Sequence, residues 1–193
     1  MNILTERPPE TVLVAGRETP IRTDFRWGVR FEQAVLGGAG AEELLALWFD
    51  EIPEDRAAAL TAALWFYCCG DVPEERPEEP EWEPLYDFGE DAGSIMASFS
   101  AAYGVDLSTA RMHWWTFRTL LRALPSESEF KRLTALRGMD LSGLDGEQKR
   151  RLKKLQSSVR LRRNAPVSLE ERDERWRRRV GAVFRRAGER HGA

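Results

Sequence analysis

The segment Ser108–Leu124, STARMHWWTFRTLLRAL, constrains the fold more than any other, because it joins the strongest helical periodicity in the chain to its densest aromatic cluster. At about 100° per residue, Ala110, His113, Trp114, Phe117, Leu120, Leu121 and Leu124 fall on one arc, the stripe of a core-facing helix. Other elements have to cover that stripe. Arg111, Trp115, Arg118 and Arg122 fall together on the far side, setting one large ring among three guanidiniums. Two readings of Trp115 follow. It is a surface indole on which Arg111 and Arg118 stack, or with them it forms a contact for another subunit or partner, since Trp and Arg carry binding energy disproportionately.

The charge pattern is the second constraint. The net charge of −3 hides a polarity: 7 basic against 22 acidic residues up to Ala110, and 22 basic against 10 acidic from Arg111 onward. The halves attract, so docking within the chain, head-to-tail assembly into a homo-oligomer, or presentation of the basic half to nucleic acid all follow from charge. Covalent attachment of the acidic half disfavours nucleic acid. With 193 residues, 42% of them hydrophobic, one sizeable core is expected, with a helical appendage.

Cys68 and Cys69 are adjacent, a geometry that excludes an ordinary disulfide between them and suits a reduced, cytoplasmic setting. No apolar run approaches the roughly 20 residues that span a bilayer. The acidic start, MNILTERPPE, lacks the layout of an export signal, so no membrane or export route is expected.

Along the chain, Thr11–Val14 and Glu18–Arg22 alternate around Ala15-Gly16-Arg17 and predict a β-hairpin. Asp24 is the expected N-cap of a helix to Leu36, closed by Gly37-Gly38 and apolar on two sides. Ala41–Phe49 predicts a short helix, and Pro53 starts another that runs past Tyr67 to Cys68 and Cys69. Asp71–Asp91 holds 10 acidic residues, one arginine and four prolines, which predicts an extended acidic loop pinned by Trp82, Leu85, Tyr86 and Phe88. Helices follow over Asp91–Tyr103, after a Ser126/Glu129 capping box, and over Glu147–Arg163. A last amphipathic helix after Pro166 carries Trp176, Val180, Val183, Phe184 and Ala187 on one face.

The expected fold is therefore mainly α: a helical bundle-like domain with a small N-terminal β-hairpin and amphipathic C-terminal helices. Its core domain covers 1–145, including the acidic loop 71–91, and a basic helical extension covers 146–193. Candidate partner-binding residues are Arg111, Trp115 and Arg118, together with Trp176, Val180 and Phe184.

No nucleophile elbow, phosphate-binding loop, dinucleotide fingerprint or zinc spacing is present. His113 sits on the apolar arc and reads as a satisfied core histidine rather than a general base. The two cysteines read as small buried hydrophobes. No catalytic residue, cofactor or metal site is expected, and the chain reads as non-enzymatic.

The order of Met1-Asn2-Ile3-Leu4-Thr5, the hairpin, Thr23-Asp24-Phe25-Arg26, Phe31-Glu32, Phe66-Tyr67-Cys68, Tyr86-Asp87-Phe88, Asp91, Phe99, Tyr103-Gly104, Asp106-Leu107, His113-Trp114-Trp115-Thr116-Phe117, Phe130 and Arg137 resembles the bacteriophage "gene product fifteen" family over about residues 1 to 165. These are proteins of tailed phages and prophages of Gram-positive bacteria. The resemblance implies a tail-module protein made in the host cytoplasm, a tail assembly chaperone whose partner is the tape-measure protein. Its alternatives are a structural tail component of the virion and a nucleic-acid-binding module using the basic half.

Overall fold

The computed structural model describes residues 5–71 and 85–161, which are mainly α: seven helices and one antiparallel hairpin. They fall into two compact units that interleave in sequence. One takes 5–71 and 111–122, the other 85–110 and 123–161. The expected helix after Pro166, with Trp176, Val180 and Phe184, lies outside the described residues, as does Trp82.

In the first unit, β1 (Thr11–Val14) and β2 (Arg17–Pro20) pair with Val14 opposite Arg17. The loop is only Ala15-Gly16, both at positive φ, as a tight hairpin turn requires. That moves Arg17 into β2 and leaves Ile21 and Arg22 beyond it. Val12 and Val14 are buried while Leu13 faces out, the period-2 alternation of a half-covered strand. β1 packs on α3 (Arg56–Tyr67). This helix starts three residues after Pro53, because the Asp55 carboxylate caps it by accepting from Ala58 N–H.

α1 (Phe25–Gly37) is capped by Asp24 and closed by Gly38 at φ 81°. α2 (Ala41–Trp48) buries Leu44, Leu45 and Trp48. α5 (Trp114–Arg122) completes this unit and is shorter than the expected 108–124 helix. Its entrance is extended backbone: Phe25 N–H donates to Met112 O at 2.9 Å and Trp114 N–H to Thr23 O at 2.7 Å, so the starts of α1 and α5 are bridged. A helix beginning at Ser108 would have lost those bonds. Where α1 crosses α5 the approach is very close. A Cβ on Gly28 would stand 2.2 Å from Trp114 Cε3.

The second unit holds α4 (Ala92–Tyr103), α6 (Glu129–Arg137) and α7 (Gly146–Ser158). The expected Ser126/Glu129 box does not cap α6. Ser128 does, its hydroxyl accepting from Lys131 N–H, while Ser126 donates to Glu127. Asp106 and Ser108 hold the Leu107–Thr109 turn ahead of α5; hydrogen bonds from Ser108, hydroxyl first, lower the Asp106 pKa. Leu85, Tyr86 and Phe88 are buried, with Tyr86 edge-on to Phe130 and to Phe88, as their anchoring role requires.

The strongest tie in this unit is the Arg137 guanidinium. It grips Asp91 through two bonds of 2.7 and 2.9 Å, and donates to Leu85 O and Val159 O at 2.9 and 2.6 Å. Asp91 also accepts from Asp87 N–H. One cation thus fixes the segment entering α4, the end of α6 and the end of α7.

Two substitutions test this packing. Gly28→Ala is expected to cost about 2–3 kcal/mol by overpacking, although alanine in an open helix position would stabilise by about 0.5–1 kcal/mol, so the sign of the change in urea midpoint decides. Arg137→Met is expected to cost about 3–5 kcal/mol by stranding a buried carboxylate, and adding Asp91→Leu should recover part of that loss in a double-mutant cycle.

Candidate interaction site

The aromatic centre is built around the C-terminus of α3. A helix end leaves its last carbonyls without intrahelical donors. Here Cys68 N–H and Gly70 N–H return to Leu64 O and Trp65 O, with Cys69 at φ 60° and Gly70 at φ 89° turning the chain. Two indoles then serve the carbonyls of consecutive residues: Trp115 Nε1 donates to Phe66 O at 2.7 Å and Trp114 Nε1 to Tyr67 O at 2.8 Å. Each buries a large ring and gives its one polar atom a partner.

This placement corrects the expected exposure of two candidate residues. Trp115 is only 4% exposed, edge-on to Trp65 and against Gly70, and Arg118 is only 6% exposed, its guanidinium carbon 5.7 and 5.5 Å from the Tyr67 and Trp114 ring centres. The periodicity locates the apolar arc, but α5 is also covered at Trp115 and Arg118, while Arg122 on the same side stays exposed. Arg111 stays exposed on the segment leading into α5. Arg111, Trp115 and Arg118 therefore do not make one surface.

Beside this cluster lies a buried polar pair that periodicity does not reveal. Glu32 on α1 is 1% exposed and accepts a hydrogen bond from the Tyr67 hydroxyl. The expected arginine–tryptophan stack exists elsewhere: Trp27, half-buried on α1, lies between Arg22 and Arg30, whose guanidinium carbons are 4.4 and 4.8 Å from its ring centre. The i, i+3 spacing of Trp27 and Arg30 carries that signal.

His113 is half-buried and fully used. Nδ1 accepts from Trp115 N–H at 3.0 Å, capping α5, which leaves Nε2 as the donor to Pro9 O at 3.1 Å. Burial lowers its pKa below the ordinary histidine value, against smaller opposing effects of the Pro9 bond and Glu10. A neutral donor–acceptor histidine with both nitrogens occupied is a structural group. The expected core reading holds for its packing, edge-on to Phe66. Among the described residues no group of three or more His, Cys, Asp or Glu is placed to hold a metal ion, and no helix is long and apolar enough to cross a membrane.

The remaining surface feature is α7, which ends at Ser158, short of the expected Arg163. None of its residues is buried, and Lys149, Arg150, Arg151, Lys153 and Lys154 all face solvent. It is held along its other side, where Gln156 donates to Leu136 O and Met139 O.

Among the described residues, the aromatic centre, His113 and Glu32 are thus tied into the packing of a mainly α fold. The sequence model of the family described as Bacteriophage Gp15 protein matches residues 4–161, and the chain belongs to that family, which is one of phage structural and morphogenesis proteins. No curated protein and no solved structure matches the chain.

The His113 geometry gives a pH prediction. Its folded pKa lies below the unfolded value of about 6.5, so the unfolded chain takes up the proton first. The stabilisation is complete above about pH 6.5 and is lost as pH falls from there toward the folded value. His113→Asn keeps an acceptor for Trp115 N–H and removes the titration. In thermal melts between about pH 7.5 and 5.5 the wild type should lose more stability than the variant; equal slopes would refute the assignment.

Proposed function

We propose that the protein is a non-enzymatic tail morphogenesis factor, acting as a tail assembly chaperone on the tape-measure protein in the host cytoplasm. The observation that carries this reading is the family match over residues 4–161. The site geometry supports it, because the aromatic, histidine and buried carboxylate groups serve the fold and leave surfaces for holding other chains. A long apolar helical partner needs its stripe covered until assembly, and helix-in-groove contacts do that. With Trp115 and Arg118 internal, the contacts proposed for the partner are exposed Arg111 and the Trp176, Val180 and Phe184 face.

The second reading, a structural tail component, is favoured by the opposed charges of the two halves, which suit head-to-tail stacking. Co-expression with a tape-measure chain of the same phage is expected to raise the latter's soluble fraction and to co-purify both. Unchanged solubility without co-purification overturns the chaperone reading. Mass spectrometry of purified particles separates the two roles: a chaperone is absent, a structural component stoichiometric.

A further inference from the structure

α7 poses an electrostatic problem that its own unit does not solve. Lys149 and Lys153 stand one turn apart, as do Arg150 and Lys154, and like charges at that spacing destabilise a helix. With Arg151 these make five exposed cations against Glu147 alone, an excess of +4. Among the described residues none of the five has an ion pair. The carboxylates ahead of the helix are already used, Asp140 by Ser142 and Asp145 as the cap. The surface is also fixed in place, because Gln156 donates to Leu136 O and Met139 O, and Arg137 to Val159 O.

The first unit carries the opposite excess where α2 and α3 begin. Arg56 Nε donates to Glu42 at 2.8 Å, which holds the first turn of α2 beside the start of α3. Residues 42–55 include no cation and six exposed carboxylates: Glu42, Glu43, Asp50, Glu51, Glu54 and Asp55. Arginines answer two of them, Arg56 at Glu42 and Arg22 at Asp50, which leaves an excess of −4. Asp55 caps α3, while Glu43, Glu51 and Glu54 have no ion pair among the described residues. Screening over about 10 Å at 0.1 M makes such local excesses, and not the net charge of −3, decide what each surface meets.

We propose that the basic face of α7 docks on the acidic surface around the starts of α2 and α3 of a second copy of this chain. The inference rests on the head-to-tail reading given above and names its two surfaces. Complementary charge fixes the orientation, since two α7 helices, or two acidic surfaces, brought face to face would repel. The contact is therefore heterologous. Each bound copy keeps one free basic and one free acidic surface, so repetition closes a ring or extends as a filament.

Sedimentation velocity of the full chain over a concentration series tests the contact. At about 10 mM ionic strength, where the screening length is about 30 Å, we expect concentration-dependent association that is lost near 1 M, where it is about 3 Å. The K149E/K153E and E51K/E54K variants change exposed side chains only, and each should weaken self-association at least about tenfold by setting like charges opposite one another. Mixing the two variants restores association, because the reversed α7 of one meets the reversed acidic surface of the other. Weakening without that rescue means that the charges meet within one chain, and overturns the proposal. Association unchanged in both variants overturns this pair of surfaces and leaves the stacking reading standing. A monomer at low salt, whose basic face is then left to an external polyanion, overturns both.

Discussion

The end of α3 is the point on which the first unit depends. Helix ends are costly to bury, because their carbonyls have no partner within the helix and the macrodipole concentrates negative charge there. This chain buries one, and meets its carbonyls with two adjacent indoles rather than with water. Adjacent residues of a helix point about 100° apart, so both Trp114 and Trp115 can reach that end only if it lies across the start of α5. The bridge between Met112–Trp114 and Thr23–Phe25 sets that start, and the missing side chain of Gly28 lets the Trp114 ring lie against α1. Hydrogen bonding, ring burial and a glycine contact thus specify a single arrangement.

The second unit solves a similar problem with an ion. Asp91 occupies the cap position of α4 yet makes no capping bond there, because its carboxylate is committed to Arg137 and Asp87 N–H. A buried ion pair adds little net stability over apolar groups of equal volume, but it is costly to break. Its value here is in placement. A planar guanidinium has donors in a fixed fork, so the four bonds fix the direction of three chain segments at once. Phe130 N–H bonding to buried Ser98 Oγ adds a further fixed contact between α4 and α6.

Element type is legible wherever the apolar spacing is clear, as at α1, α2 and α4 and in the hairpin, with a cap to support it at α1. Boundaries are misplaced where two side chains compete for one role. Pro53 reads as a helix start although Asp55 can cap, and Ser126 reads as a cap although Ser128 sits two residues on. The central helix reads too long because Ala110 and His113 continue its apolar stripe. The backbone of Met112–Trp114 is held instead by the bridge to Thr23–Phe25, far earlier in the chain, a pairing no local pattern contains. Trp115 and Arg118 read as outward-facing because a helical wheel assumes one covered side. Cover on a second flank depends on tertiary packing, and polarity does not report it when the polar atoms find partners inside. Arg137 is informative in the same way: its four acceptors lie on segments far apart in sequence.

The His113-Trp114-Trp115-x-Phe117 run, the most specific part of the resemblance to the phage family, serves the interior. Trp114 and Phe117 are buried, Trp115 supports α3, and His113 caps α5. That run is therefore committed to the interior of its unit. Among the described residues, Arg30, Arg111 and the cations of α7 are exposed basic groups outside that interior. Of these, α7 differs in kind. It contributes no fully buried residue, only the half-buried Leu152 and Gln156, and a run of like charges persists there at a cost to helix stability. Such a surface suits an anionic contact, because a compensating charge would relieve the repulsion between its cations.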